Sequence, residues 1–297
     1  MTLQPRVVLV HRRSEYDELV ARHGTRQQAA FFLDQRGRSL DDLEAARDAL
    51  AAATRAATAA VPTEWRRAEV ERGDLARFVF GPEDVIVVVG QDGLVANVAK
   101  YLDGQPVVGI NPDPGRNPGV LVPHPPQAVA DLLAAAARGP RVQPRTMVEA
   151  TTDDGQVLGA LNEVYVGHPS HQSARYQLEV ADGRRERQSS SGVLVGTGTG
   201  ATGWLRSAWQ ERHSDLLLPE PTDPTLCWFV REAWPSPATG TTLTEGAVAD
   251  GEAVTLLAES DQLVCFGDGI EADALSLTWG QRLTIRTAAR RLQLVIG

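Results

Sequence analysis

Residues 84–102 constrain the fold more than any other stretch of the chain. Asp84-Val85-Ile86-Val87-Val88-Val89 is a continuous, largely β-branched run, Gly90-Gln91-Asp92-Gly93-Leu94 is a glycine turn, and residues 95–102 read as a helix. An unbroken apolar strand of this kind suits the centre of a parallel sheet, buried on both faces. Where such a strand feeds a helix through Gly-x-Asp-Gly, small residues let the backbone approach a phosphate, and the helix start offers free N–H groups. Phosphate repels an aspartate at that point. The residue fits if Asp92 lies between a phosphate donor and a hydroxyl acceptor and takes the acceptor's proton. An Asp-Gly turn capping an ordinary helix explains the same residues, and a short glycine motif does not choose between the two.

Around this stretch the first half alternates strand and helix. Residues 6–10 read as a first strand, 14–24 as a helix and 25–38 as a helix or ordered loop. Ser39-Leu40-Asp41-Asp42 resembles a capping box before the alanine-rich helix 43–60, which stops short of Pro62. A strand over 63–70, a short helix or turn over 73–80, a strand over 106–110, a stiff Pro/Gly loop over 111–119 and a helix over 125–139 follow, with 140–144 as a linker. This order predicts an open α/β sheet whose ligands gather beyond the carboxyl ends of the strands, where Asp92 and Asn111 fall. From residue 145 the texture changes to short strands at 145–151, 157–167, 176–181, 193–196, 225–230 and 253–257. Closing strands follow at 263–266, 276–278, 282–287 and 292–296. Turn residues separate them, so this half reads as largely antiparallel β, its tail packing back on the first domain.

The chain's 297 residues, 42% of them hydrophobic, can bury a core large enough for two domains. A net charge of −9 argues against a nucleic-acid or anionic-membrane surface, and no apolar run reaches membrane-spanning length. The first strand begins almost at once, leaving no room for a signal or transit peptide, so a cytoplasmic location is expected. Cys227 and Cys265 are too few for a disulfide framework or a zinc site, and His168 and His171 lack further ligands, so no protein-held metal is expected. Lys100, the one lysine, is taken as compositional bias.

Three further groups carry chemistry: Leu161-Asn162-Glu163, Ser189-Ser190-Ser191-Gly192, and Gly196-Thr197-Gly198-Thr199-Gly200-Ala201-Thr202-Gly203-Trp204 leading to Ser207. The last supplies backbone amides and hydroxyls at a helix start, suited to a pyrophosphate and polar base edges. Together with the Asp92 turn, in order along nearly the whole chain, they resemble the NAD kinases. The wording at 109–114 and at Phe229-Val230-Arg231-Glu232 looks most like the mitochondrial kind. The resemblance implies a Rossmann-like α/β donor domain over 1–141 and an antiparallel β-rich dinucleotide domain over 142–297. It implies transfer of the terminal phosphoryl group of ATP, with Mg²⁺, to the 2′-hydroxyl of the adenosine ribose of NAD, by a homodimer. Asp92 would be the general base, with Gly90 and Gly93 shaping the phosphate loop. Asn111, Asn162, Glu163, Thr199, Gly200, Thr202, Gly203, Trp204, Ser207 and Asp268 would hold nucleotides. On the residues alone, Asn162 and Glu163 serve equally to cap a strand edge, and Trp204 either stacks on a ring or fills the core.

Two residues depart from the family's Gly-Gly-Asp-Gly-Thr loop: Gln91 stands at the second glycine and Leu94 at the threonine. If the family's glycine has φ > 0, Gln91 costs on the order of 1 kcal/mol in strain, and its side chain intrudes on phosphate space. Leu94 removes a hydroxyl. A catalytically degenerate NAD(P)-binding or sensing protein on the same fold, or a kinase with another donor such as polyphosphate or another acceptor, is therefore the alternative expectation.

Overall fold

All six residues of β3 (Asp84–Val89) are buried, as a continuous apolar run requires of a strand covered on both faces. The computed structural model describes residues 5–297, and the chain divides into two units, one reaching Gln143 and regaining Gln293–Gly297, the other Pro144–Leu292.

In the first unit β3 pairs in parallel with β1 (Arg6–His11) and β4 (Pro106–Ile110). Parallel pairs of β1 with β2 (Arg66–Glu71) and of β4 with β18 (Leu292–Val295) extend the sheet, whose order is β2-β1-β3-β4-β18-β5. The edge strand β5 (Val142–Arg145) lies where the sequence reads as a linker, because an edge strand tolerates its Pro144. On one face, Ala53 and Ala57 of α3 (Leu40–Ala59) and Leu132 and Leu133 of α5 (Val129–Ala136) share a core with Val7, Val87 and Val108. Ser14 and Thr25 cap α1 (Glu15–His23) and α2 (Arg26–Asp34) by accepting from the N–H groups of Asp17 and Gln28. With α3 these helices close a small core of Tyr16, Leu19, Leu33 and Leu40. Helix α4 (Asp92–Ala99) follows β3 directly. The chain leaves β1 for β2 on one side and returns to β3 on the other, so the carboxyl ends of β1 and β3 flank the topological switch point, where open α/β sheets place their ligands.

The second unit holds two six-stranded antiparallel sheets. One runs β10 (Arg185–Ser190), β9 (Ala174–Glu179), β14 (Val254–Ala258), β17 (Arg282–Thr287), β6 (Val148–Thr152), β7 (Val157–Ala160). The other runs β13 (Glu245–Val248), β12 (Leu226–Arg231), β11 (Gly192–Gly196), β8 (Glu163–Gly167), β15 (Leu263–Gly267), β16 (Ile270–Leu277). Strand alternation sorts their side chains: Val193 and Val195 of β11 and Leu226, Trp228 and Val230 of β12 face the core between the sheets. Leu194, Cys227 and Phe229 face Leu205 of α6 (Trp204–Arg212). The stretch 157–167, which reads as one strand, is two, broken at Leu161 and Asn162. An α/β region with a mostly parallel sheet followed by an antiparallel β region is the fold class that the sequence implies. Among the described residues no helix is long and apolar enough to cross a membrane.

Candidate functional site

The residues singled out in the sequence fall into two groups, one in each unit. In the first unit the Gly90 N–H donates to Ile110 O across the ends of β3 and β4 (3.0 Å). Gln91 then caps α4 with φ −107° and ψ 165°. That backbone is ordinary extended geometry, so the strain expected at Gln91 is absent and glycine is not required there. Asp92 is the first residue of α4, and its carboxylate is occupied: Oδ2 accepts from Val120 N (2.9 Å), and Oδ1 from Leu121 N (2.8 Å) and Val122 N (3.2 Å). A carboxylate has about four lone-pair directions, so roughly one is left for another donor. The loop it holds passes so close to β4 that a Cβ on Gly109 would lie 2.0 Å from Leu121 O. Asn111, buried, braces the same loop: its amide donates to Asn117 O (2.7 Å) and accepts from Asp113 N (3.0 Å). Its side chain thus organises backbone. Gly93 is exposed, and Leu94 is buried, packed beneath Gly90.

A cavity of about 580 Å³ opens at the switch point, lined by residues following β1 (Arg12, Ser14), β3 (Gly90, Gln91) and β4 (Pro112, Asp113, Arg116) and by one side of α3. Arg38 and Arg47 also line it. Such a collection of guanidinium groups beside a helix start suits phosphate.

In the second unit the Asp268 carboxylate accepts from Leu161 N (2.9 Å) and Asn162 N (2.7 Å), and its own N–H donates to Glu163 O (3.1 Å). Asp268 adopts φ 53°, a left-handed conformation that aspartate tolerates better than most residues. The Thr197 hydroxyl donates to Leu161 O (2.6 Å) and accepts from Thr199 N (3.1 Å) and Gly200 N (3.3 Å), while Thr197 N donates to Asn162 O (2.9 Å). The glycine-rich turn is therefore stapled onto the Leu161–Asn162 break. A Cβ on Gly200 would lie 2.3 Å from Asn162 O, so only glycine fits.

Three polar groups around this staple lack partners among the described residues. The Thr199 hydroxyl is buried without a hydrogen bond, no donor reaches the Glu163 carboxylate, and the Asn162 side-chain amide is unpaired. Burial pushes the Glu163 carboxyl up to about 7, and the nearby Asp268 charge adds to the shift. Buried polar atoms are nearly always bonded, and the fully buried Thr199 hydroxyl left unpaired costs roughly 1–3 kcal/mol. A ligand presenting hydroxyl and amine donors satisfies all three.

Thr202 and Gly203 are exposed at the start of α6, the Thr202 hydroxyl donating to Thr199 O (2.9 Å). Trp204 is half-buried and stacked on Tyr165 (5.3 Å between centroids), with the Arg231 guanidinium 5.6 Å from its ring, so one face of the indole is spent on packing. Ser207 is exposed on α6 and shares with Trp204 a cavity of about 290 Å³.

No protein-family model matches the chain. Among curated proteins it is 38% identical over 134 residues to the NAD kinase of Methylococcus capsulatus, covering 42% of this chain and 45% of that one. It is 25% identical over 217 residues to the NAD kinase of Caldicellulosiruptor saccharolyticus (71% and 75%). It is 28% identical over 170 residues to NAD kinase 2, mitochondrial, of Rattus norvegicus (41% and 39%). These likenesses support the NAD kinase family. The chain spans about half the length of the first of these relatives, and bacterial and mitochondrial NAD kinases match it alike.

Sequence reading missed the cavity arginines, which are scattered over a hundred residues and converge only in the fold. It gave Thr197 no role of its own within the turn that the NAD kinase resemblance picks out, although the Thr197 hydroxyl organises that turn. The Ser189-Ser190-Ser191 group is structural: Ser190 is buried against the Tyr176 hydroxyl (2.6 Å), and Ser191 O accepts from Tyr165. His168 Nδ1 is taken up by Ser170 in its own loop.

Proposed function

We propose that the chain is an NAD kinase, nearest the mitochondrial kind in its loop wording, that moves the terminal phosphoryl group of ATP to the 2′-hydroxyl of the adenosine ribose of NAD. The observation that carries this reading is the unpartnered set Asn162, Glu163 and Thr199 on a rigid staple. A ribose diol offers two hydroxyl donors to a carboxylate, and an adenine edge offers an amine to a hydroxyl or amide oxygen. In the reaction the 2′-oxygen forms a bond to the terminal phosphorus, the bond from that phosphorus to the bridging oxygen breaks, and ADP leaves with the electron pair. The hydroxyl proton passes to Asp92, whose three N–H bonds fix its orientation and whose remaining lone pair accepts it.

Among the described residues no group of three or more histidine, cysteine or acidic side chains could cage a metal. Mg²⁺ would accompany the triphosphate and supply charge neutralisation there, as is usual for this ion. The family also carries a homodimer into this proposal, and a cytoplasmic setting accompanies it.

The test is to incubate the full chain with NAD, ATP and Mg²⁺ and assay NADP. Absence of NADP with ATP, with inorganic polyphosphate and with NADH as acceptor would reject the kinase reading. A second reading, a dinucleotide-binding protein without turnover, is favoured by the commitment of Asp92 to its loop. It expects tight dinucleotide binding in that same failed assay.

A further inference from the structure

Phe31 of α2 stands 66% exposed, while Ala29 and Leu33 of the same helix are buried. A single exposed apolar residue is ordinary and carries no argument by itself. The residues around this one are arranged symmetrically. Gln27 and Gln35 stand four residues before and after Phe31, Gln28 and Asp34 stand three before and after it, and all four are exposed. Residues three and four apart share a helix face, so the five form one stripe with the aromatic ring at its centre. Beside the stripe lies a groove of about 680 Å³, bounded by Arg22 and His23 at the end of α1 and by Phe31 and Phe32 of α2. It shares no residue with the switch-point cavity.

The groove lacks negative charge and hydrogen-bond partners. No carboxylate lines it. Arg22 makes no hydrogen bond or ion pair among the described residues, and His23 Nε2 is buried without a partner. Arg36 is already placed, donating to Phe32 O (2.9 Å) with its guanidinium 3.7 Å from the centre of the Phe32 ring. A second copy of α2, laid antiparallel about a two-fold axis at Phe31, supplies what is missing. Residues equally spaced before and after Phe31 then face one another. Gln27 meets Gln35 of the other copy, amide to amide, each able to donate and accept, and Gln28 meets Asp34, amide to carboxylate. Gln28 lines the groove and Asp34 does not, so the axis carries each Asp34 to the groove of the other copy, where Arg22 is unclaimed. Stripe and groove together carry Arg22, Arg36 and Asp34, a net of +1 (2 − 1), on a chain whose net charge is −9. Two copies therefore meet on this face without the repulsion that their overall charge imposes.

We propose that this face of α2 is a self-association surface and that its partner is a second copy of the chain, bound antiparallel about Phe31. The kinase reading includes two copies without saying where they meet, and the present assignment does not depend on it. Sedimentation equilibrium on the full chain is measured from roughly 1 to 100 µM, because a contact centred on one helix pair is a small interface. The wild type should associate over this range, and Phe31→Glu should weaken that association by tenfold or more. Gln28→Glu, which sets a carboxylate against Asp34, should weaken it by roughly fivefold, and Gln28→Arg should tighten it by a similar factor. A patch that is only sticky would not follow the sign of the charge. A mixture of Gln27→Cys and Gln35→Cys chains should form a disulfide-linked dimer on mild oxidation. Neither variant alone should, since like positions then lie about 12 Å apart along the axis, beyond disulfide reach. The native Cys227 and Cys265 are buried. All the substituted positions are exposed, and an unchanged unfolding temperature reports that each variant is folded. If NADP forms but no association of this pattern is seen, this proposal fails alone; if the pattern holds and no NADP forms, the kinase reading fails alone. A wild type monomeric over the whole range, a mass unmoved by Phe31→Glu, or equal cross-linking by the single variants and their mixture overturns the proposal.

Discussion

Asparagine at position 92 would retain one carbonyl oxygen for the N–H groups of Leu121 and Val122 but would turn an NH₂ toward the N–H of Val120, donor against donor. Asp92→Asn should therefore lower turnover by about 10²–10⁴-fold, as loss of a general base does. It should also lower stability by roughly 1–3 kcal/mol through the unmatched donor. Parallel measurement of NADP formation and denaturant unfolding separates the roles: unchanged stability removes the loop-holding role, and unchanged turnover removes the base. At Gln91 the extended backbone leaves no strain to relieve, so Gln91→Gly gains only flexibility at the helix start. Its turnover should stay within about tenfold of wild type, a barrier change under about 1.4 kcal/mol. A larger rise would mean that the glutamine side chain itself blocks the donor. At Glu163 the folded carboxyl titrates at about 7, against 4.5 as its ordinary value. The folded state thus binds more protons than the unfolded state between these limits, and stability is lost as pH rises from about 4.5 to about 7. The span corresponds to about 3 kcal/mol. Urea unfolding from pH 4 to pH 8 should show this slope in the wild type and lose it in Glu163→Gln. Dinucleotide affinity, if the ionised carboxylate receives the ribose hydroxyls, should rise through pH 7 in the wild type alone.

At the scale of elements, the glycine-rich turn and the break between β7 and β8 act as one piece. A methyl group at Gly200 would meet Asn162 O at 2.3 Å, backbone against backbone, so Gly200→Ala must part the staple. Dinucleotide binding should fall by tenfold or more; calorimetric titration with NAD checks this, and unchanged NAD affinity would detach the turn from the site. The same piece shows where sequence reading stops. The β3-turn-α4 unit was legible because its run of valines and its glycines act locally. The break at Leu161 and Asn162 was not, since the carboxylate that makes it belongs to Asp268, 107 and 106 residues further on. Strands β10 and β13 went unread, and both lie at sheet edges, where polar residues such as Arg185, Glu186 and Glu245 keep an open edge from pairing. The groups Asn162, Glu163 and Thr199 were named from the sequence, and the structure brings them together around one turn. Asn111 and Asp92 were named for ligands, and the structure shows both binding backbone.

At the scale of the whole molecule, the chain leaves the first unit after Gln143 and re-enters it at Gln293, so its last strand, β18, joins a sheet whose other strands lie before residue 146. Gln293 and Leu294 pair with Pro106 and Val107 of β4, Leu294 and Val295 are buried, and Val295 O is bonded to His124 Nε2 (2.9 Å). Removing residues 293–297 should strip β4 of one of its two partners, remove two buried side chains from the core and free the His124 end of the loop that Asp92 holds. Burial of two such side chains contributes about 3–6 kcal/mol. That is a large share of the roughly 5–15 kcal/mol by which domains are stable. Nothing in β11 or β12 depends on those residues through any pairing. Hydrogen exchange read peptide by peptide on the truncated chain should therefore show protection lost over 84–110 and kept over 192–196 and 226–231. ATP binding should be lost while NAD binding remains. Equal loss of protection in both stretches would show that the two units unfold as one, and protection unchanged over 84–110 would show that β4 holds its place without β18.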